Sequence, residues 1–348
     1  MRVLLATTWA TACGIAEHSG LLKEAVEAAD PSIAIDPCPG YLDPEQCLLT
    51  IDSVSKPGDL LHLNYHAALH SRWDVGAIVA VQAAGRKVIV TFHDTIGEIS
   101  PVDLRAQGDT RLDRLEQIAQ VADALIVHEP CLELLGDEYH VWRMGVPAWE
   151  PPRQIFGTRS ERSMAGAGHF KAWRDQPVLG SIGFPFPWKN FDQLATITGE
   201  IGWALLLIAP TATPEQQIRW HELNPDVWVR TDFVPRGEAV SLLAGCDATA
   251  FAYTGGNTGQ SGAILQGIAA RKPVLALAHC RQFRALFDDP LARTTITWCE
   301  DLEGLAFALT HFVRLERTSP AVVALAEQES WTRLGRKYAT LYHEVARA

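Results

Sequence analysis

The sequence has no Cys-x-x-Cys pair, no Gly-x-Gly-x-x-Gly loop and no Asp-x-Asp. No apolar run approaches the ~20 residues that a membrane span needs. Its seven cysteines (Cys13, Cys38, Cys47, Cys131, Cys246, Cys280 and Cys299) are odd in number and scattered, and read as reduced, mostly buried thiols. The missing glycine fingerprint takes weight from a dinucleotide-dependent dehydrogenase. MRVLLATTW is too short an apolar run for a signal peptide and reads as a first strand. A soluble, cytoplasmic chain is the expectation. There is no low-complexity tract and no short fixed-period repeat.

Positive charge is also scarce. Net charge is −11, and residues 1–150 carry 10 Lys+Arg against 22 Asp+Glu, whereas residues 151–348 carry 20 against 19. Binding a nucleic-acid backbone needs clustered cations, so the acidic first half argues against that partner. What remains is an ordinary globular composition, 47% apolar and 20% charged, over 348 residues, enough for two domains with cores of their own.

Both halves alternate strands and helices. In the first, near-continuous apolar runs at Arg2–Thr7, Ile33–Asp36, Asp59–Tyr65, Lys87–Asp94, Ala124–Glu129 and Tyr139–Met144 read as strands. Helical patterns separate them near Glu17–Ala29, Pro44–Ser55, Trp73–Ala84 and Asp109–Val121. Strands of this kind belong to a parallel sheet covered on both faces. Residues 151–176 break the rhythm with Pro151-Pro152 and several arginines, as a polar linker would. A second alternation follows, with strands near Val178–Gly183, Ala204–Ala209, Val227–Phe233, Ala248–Tyr253, Val274–Ala278 and Thr294–Cys299. A final helical segment covers Ala321–Ala346. The expected domains are 1–150, a linker 151–176, 177–328, and a C-terminal helix 329–348 that packs back on the first.

Open parallel sheets bind ligands outside the carboxyl ends of their strands. That rule selects Thr7 to Gly14, His62 to His66, His93-Asp94 and His128-Glu129 in the first half. In the second it selects Phe184 to Lys189 and the stretch FAYTGGNTGQSGAILQG, where a strand, a Gly-rich loop and a helix follow one another. Free amide hydrogens and the helix dipole suit such a loop to a phosphate. Lys189, behind the proline-stiffened GFPFPW, is a point charge fit for a diphosphate. Gly14 allows close approach of backbone to ligand. Glu17 opens a helix, where an acid complements the dipole or meets a ligand. The pair Asp288-Asp289 before Pro290 reads as a solvated turn.

The succession CGIAEH, HLNYH, TFHD, ADALIVHE, MGVP, GFPFPWKN and ARKPV, ending in ESWTRLGRKYATLYHEV, resembles the retaining GT-B glycosyltransferases of the family-4 type. The resemblance runs the length of the chain. It implies an α/β fold of two tandem Rossmann-like, doubly wound parallel-sheet domains, with the last helix crossing back onto the first. It also implies metal-independent transfer of a sugar from a UDP- or GDP-linked donor to a sugar or small-molecule acceptor, with no other cofactor and no metal site. By that likeness His93, Lys189 and Glu17 are the catalytic candidates. Gly14, Phe184, Thr258, Gly259, Gln260, Ser261, Gly262 and Gln266 would bind the donor, and His18, His66, Asp94 and His128 the acceptor. The sequence departs from the family in two places. The usual pair of glutamates appears as Thr258 and Gln266, and an arginine commonly found near the diphosphate lysine as Phe184. Two other readings stay open: a nucleotide-sugar epimerase, since such enzymes share the GT-B architecture, and a catalytically silent nucleotide-sugar binder, to which Thr258 and Gln266 point.

Overall fold

A strand that is apolar at every position needs cover on both faces, and the computed structural model supplies it twice. It describes residues 1–9, 14–38, 40–66, 70, 72–93, 111–128, 140–142, 145, 176–255, 261–312 and 320–348. The chain divides into two compact units, one formed by Met1–Gly145 with Trp331–Ala348, the other by Val146–Gly256 with Ser261–Ser330.

In the first unit, β1 (Arg2–Ala6), β2 (Ala34–Pro37), β3 (Leu60–Tyr65), β4 (Lys87–Phe92), β5 (Ala124–Val127) and β6 (His140–Val141) form one sheet in the order β2-β1-β3-β4-β5-β6. Every pairing is parallel, with Val3 opposite Leu60 and Leu60 opposite Lys87. Alternate residues serve different cores. Leu4, Leu61, Val88 and Val90 pack with Ile51 of α2 (Pro44–Val54), Ile78 and Val81 of α3 (Val75–Ala83) and Ile118 of α4 (Arg111–Val121). Val3, Leu5, Leu60 and Ile89 pack with Leu22 and Val26 of α1 (Gly14–Ala29) and with the last helix of the chain.

The second unit has β7 (Val178–Ile182), β8 (Ala204–Ile208), β9 (Val227–Arg230), β10 (Ala248–Phe251), β11 (Val274–Leu277) and β12 (Thr297–Cys299), in the order β12-β11-β10-β7-β8-β9, again all parallel. Counted from its own first strand this is the Rossmann order 6-5-4-1-2-3. The connecting helices are α5 (Phe191–Glu200), α6 (Pro214–Leu223), α7 (Arg236–Ala244), α8 (Gly262–Ala269), α9 (Arg284–Phe287), α10 (Pro290–Thr295), α11 (Leu302–Thr310) and α12 (Pro320–Gln328).

Two expected elements differ. Thr294 and Thr295 are not strand but the end of α10. Asp289 caps that helix by accepting from the amide of Ala292 at 2.8 Å, with Pro290 in the first turn, so the acidic pair is a helix start rather than a free turn. The final helical segment is two helices, α12 and α13 (Trp331–Arg347), interrupted at Glu329–Ser330. Their apolar stripes serve different cores. Val322, Leu325 and Ala326 are buried in the second unit. Trp331, Leu334, Tyr338, Leu341, Tyr342 and Val345 are buried in the first, at helical spacing. Gly335 lets α13 approach α1 closely, since a Cβ there would meet the backbone of Ala25. Within the expected linker only Gln176 lies among the described residues.

Candidate functional site

The strand order of each sheet marks where a ligand belongs. In the first unit the order reverses between β1 and β3, and the carboxyl ends there are tied by a buried polar network. Ser19 of α1 donates to the Ile15 carbonyl (2.7 Å) and accepts from Asn64 Nδ2 of β3 (2.8 Å). Its one proton is thereby used, so the Thr7 hydroxyl, 2.7 Å away, is the donor in their contact. Gly14 opens α1, and Glu17 stands half-buried in its first turn.

Three histidines from three elements meet beside this network. His93 directly follows β4, His128 directly follows β5, and His18 lies on α1; all are buried. The ring of His18 meets those of His93 and His128 edge-on, at centroid distances of 4.8 and 5.4 Å. On another side His18 packs against Trp331 of α13 at 5.0 Å. Nδ1 of His128 lies 2.9 Å from the Trp142 carbonyl, and its Nε2 lies 3.3 Å from Nδ1 of His93. Burial favours the neutral form of two of the rings: it lowers the pKa of His128 to about 4, and His93 is pushed well below its ordinary value by burial and then by neighbouring His18 and His128. One ligand atom from each of the three rings lies within 4.8 Å of the others, a spacing that also admits a metal ion, which sequence reasoning did not anticipate. His66 directly follows β3 and is half-buried, its amide donating to Nδ1 of His70 at 3.1 Å. Asp94 lies outside the described residues.

In the second unit the order reverses between β7 and β10. Lys189 closes a short 3-10 turn, Pro187–Lys189, and is nine-tenths buried beside both strand ends. Its Nζ sits 4.8 Å from the ring centroid of Tyr253, a cation–π contact. Among the described residues it has no carboxylate partner, and burial brings its pKa down to about 8. The turn is clamped. Asn190, left-handed at φ 54°, donates to the Ala252 carbonyl (2.6 Å) and to Thr254 Oγ1 (2.9 Å), and the Thr254 amide donates to the Trp188 carbonyl (2.9 Å). Gly183 has φ 144°, open to glycine, and a Cβ there would run into the Lys189 ammonium. The Tyr253 hydroxyl donates to the Ile182 carbonyl at 3.1 Å and is also bonded to Ser261.

Ser261 is the N-cap of α8, and its own side chain makes no capping hydrogen bond among the described residues. The amides of Gly262 and its successors are therefore available to an anion. Gln266, one turn further along, has a buried Oε1 with no hydrogen-bond partner among the described residues. Phe184 belongs to an aromatic group with Phe186 (6.1 Å) and Phe233 (6.5 Å), the last two exposed. Thr258, Gly259 and Gln260 lie outside the described residues. The structure thus joins His18, His93 and His128 in one unit, and Lys189 through Tyr253 to Ser261 in the other.

Sequence reasoning missed Gly183, Asn190, Tyr253 and Trp331 as parts of these sites. Gly183 directly follows β7, Tyr253 lies two residues past β10 and Asn190 adjoins Lys189, which is the cue that could have found them. Of the cavities, one of about 680 Å³ lined by Met1, Arg2, Ala34 and Asp59 lies at the amino ends of the first sheet, the wrong end for a ligand of such a fold. One of about 340 Å³, lined by Tyr253, Thr254, His279 and Cys280, lies at the carboxyl ends of the second.

No protein-family model matches the chain, and no curated protein matches it. Solved structures do. A UDP-forming α,α-trehalose-phosphate synthase from Burkholderia xenovorans matches 88% of this chain and 78% of its own, at 10% identity and a TM-score of 0.61. The Anabaena protein HepE, in complex with UDP-glucose, matches 99% of this chain and 99% of its own at 14% identity and a TM-score of 0.65. A mutant of S. aureus TarM, in complex with fondaparinux, alpha-GlcNAc-glycerol and UDP, matches 86% of this chain and 58% of its own at 11% identity and a TM-score of 0.59. What is shared at these identities is the fold: GT-B, with two Rossmann-like parallel sheets.

Proposed function

We propose that the chain is a retaining glycosyltransferase that moves a sugar from a nucleoside-diphosphate donor to an acceptor hydroxyl. One observation carries the reading: Lys189, a buried ammonium with no carboxylate partner among the described residues, at the switch point of a Rossmann-ordered sheet. Burying a cation without a counter-charge is costly, and a diphosphate would supply the missing charge. HepE and TarM, which share the fold, were solved with UDP-glucose and with UDP.

Lys189 and the amides around Thr258, Gly259, Gln260, Ser261 and Gly262 stabilise the negative charge that grows on the departing diphosphate. Gln266 Oε1 accepts from a ribose hydroxyl, a neutral replacement for a carboxylate. Phe184 lines the donor site as an aromatic surface. In the first unit Gly14 approaches the donor phosphates, His93 meets the transferred sugar, and Glu17, His18, His66, Asp94 and His128 serve the sugars. The acceptor oxygen bonds to the anomeric carbon on the face from which the diphosphate leaves. As the bond to the phosphate oxygen breaks, that phosphate takes the acceptor's proton. No side chain acts as covalent nucleophile, and no step requires a metal.

Thermal-shift titration with UDP, GDP, UDP-glucose and GDP-mannose tests the donor site, because a ligand that binds only the folded state raises the melting temperature. Incubating the stabilising donor with a panel of sugar acceptors, with and without chelator, tests the transfer. Transfer with retained configuration and no effect of chelator is the expected result. Absence of any nucleotide-dependent shift refutes the reading. An isomerised free sugar without acceptor identifies an epimerase, and binding without turnover a silent binder.

A further inference from the structure

Two hydrogen bonds decide which nitrogen of His93 carries the proton. A carbonyl oxygen only accepts, so Nδ1 of His128, 2.9 Å from the carbonyl of Trp142, bears the hydrogen. A neutral imidazole has one N–H, and Nε2 of His128 is therefore a bare lone pair. That lone pair lies 3.3 Å from Nδ1 of His93. Two bare nitrogens facing each other at this distance would repel, so Nδ1 of His93 is the donor. Its own Nε2 is then left bare as well. It is buried, and among the described residues nothing donates to it. A buried acceptor without a donor is unfavourable, and a ligand hydroxyl would offset that cost.

We propose that His128 is a positioning residue: relayed from the Trp142 carbonyl, it holds His93 as the Nδ1–H tautomer, so that Nε2 of His93 accepts a hydrogen bond from a hydroxyl of the bound sugar. The ligand half of this rests on the glycosyltransferase reading above; the tautomer half does not. The chemistry selected is an O–H donor, hence a neutral hydroxylated sugar in preference to a group that only accepts. His18, edge-on to both rings, keeps them from turning out of the chain of bonds.

The test uses histidine labelled with 15N and 13C in the full chain, with resonances assigned through H93Q and H128L variants. Both His93 and His128 are expected as Nδ1–H tautomers in the wild type. In H128L, His93 loses its acceptor and should shift toward the Nε2–H form. H128Q, whose amide can accept from His93 and donate to Trp142, should restore the original form. UDP-glucose and UDP, or GDP-mannose and GDP, are then titrated. H128L should weaken the nucleotide sugar about tenfold, the equivalent of one hydrogen bond, leave the bare nucleotide unchanged, and be rescued by H128Q. An Nε2–H His93 in the wild type, a His93 tautomer indifferent to H128L, or stoichiometric zinc uptake abolished by H93Q would each overturn the relay. Equal weakening of sugar and bare nucleotide would overturn the sugar contact alone. Correct tautomers with no binding of any nucleotide sugar would overturn the functional reading and leave the relay standing.

Discussion

Replacing Lys189 by methionine should stabilise the unliganded fold at neutral pH. Burial holds its ammonium at about 8, against an ordinary 10.5. Below pH 8 the group is charged both folded and unfolded, and the gap between those values opposes folding by about 3 kcal/mol. Between pH 8 and 10.5 the unfolded chain keeps its proton while the folded one has released it, so stability rises with pH. Above 10.5 the penalty is gone. Methionine keeps the length, fills the same space and sets a thioether near the ring of Tyr253. At pH 7 the variant should melt roughly 6–12 °C above the wild type if the second unit unfolds as a domain of its size, and at pH 10.5 the two should coincide. Melting curves at both pH values measure this. No gain at pH 7, or the same gain at both, would show that the charge is not held at a cost, and the argument for a phosphate would lose its foundation. The same variant should give up the nucleotide-induced shift, so stability and binding would move in opposite directions.

Other consequences follow from the same geometry. Nucleotide binding should weaken about tenfold per pH unit above pH 8, as binding must restore the proton on Lys189; isothermal titration at pH 7, 8 and 9 checks it, and a flat profile excludes Lys189. Gly183→Ala combines left-handed strain with a methyl group pressed on the Lys189 ammonium and on the Tyr253 hydroxyl at 3.0 Å, and should cost about 1–3 kcal/mol in denaturant unfolding. Tyr342→Phe removes the hydroxyl 2.7 Å from Nδ1 of fully buried His62 and should cost about 1–3 kcal/mol; wild-type unfolding would contradict that bond. Burial holds His62 at about 3 and His70 and His128 at about 4. The contribution of these three to the stability of the first unit should therefore be level above pH 6.5 and fall below it, at up to roughly 4 kcal/mol per pH unit together; hydrogen exchange of β3 and β5 amides measures the slope.

Much of the architecture could be read from hydrophobic periodicity. Runs such as VIVTF and ALLLI are buried along their whole length, and that property alone specifies parallel strands with helices on both sides. Errors fell where local chemistry outweighed pattern. Thr294 and Thr295 look like strand residues, yet Asp289-Pro290 starts a helix that includes them. The candidate site divided in the same way. Strand-end histidines and Lys189 could be picked out because fold rules place ligands at strand ends. The bond from His128 to Trp142 could not, since it joins residues 14 apart through a carbonyl with no identity in the sequence. Lys189 illustrates the remaining gap: its type and loop were legible, but its burial depends on Tyr253 and Gly183 closing around it.

The placement of α13 has a consequence for how the protein is made. Trp331, Tyr338 and Tyr342 complete a core begun by Val3 and Leu5, so strands made before the second unit wait for a helix translated after it. Until then α1 alone covers that face of β1, β3 and β4, and the apolar side chains that α13 would meet stay exposed. Domains ordinarily fold in the order of synthesis. Here the later unit, with a core of its own, can mature while the earlier one stays unfinished.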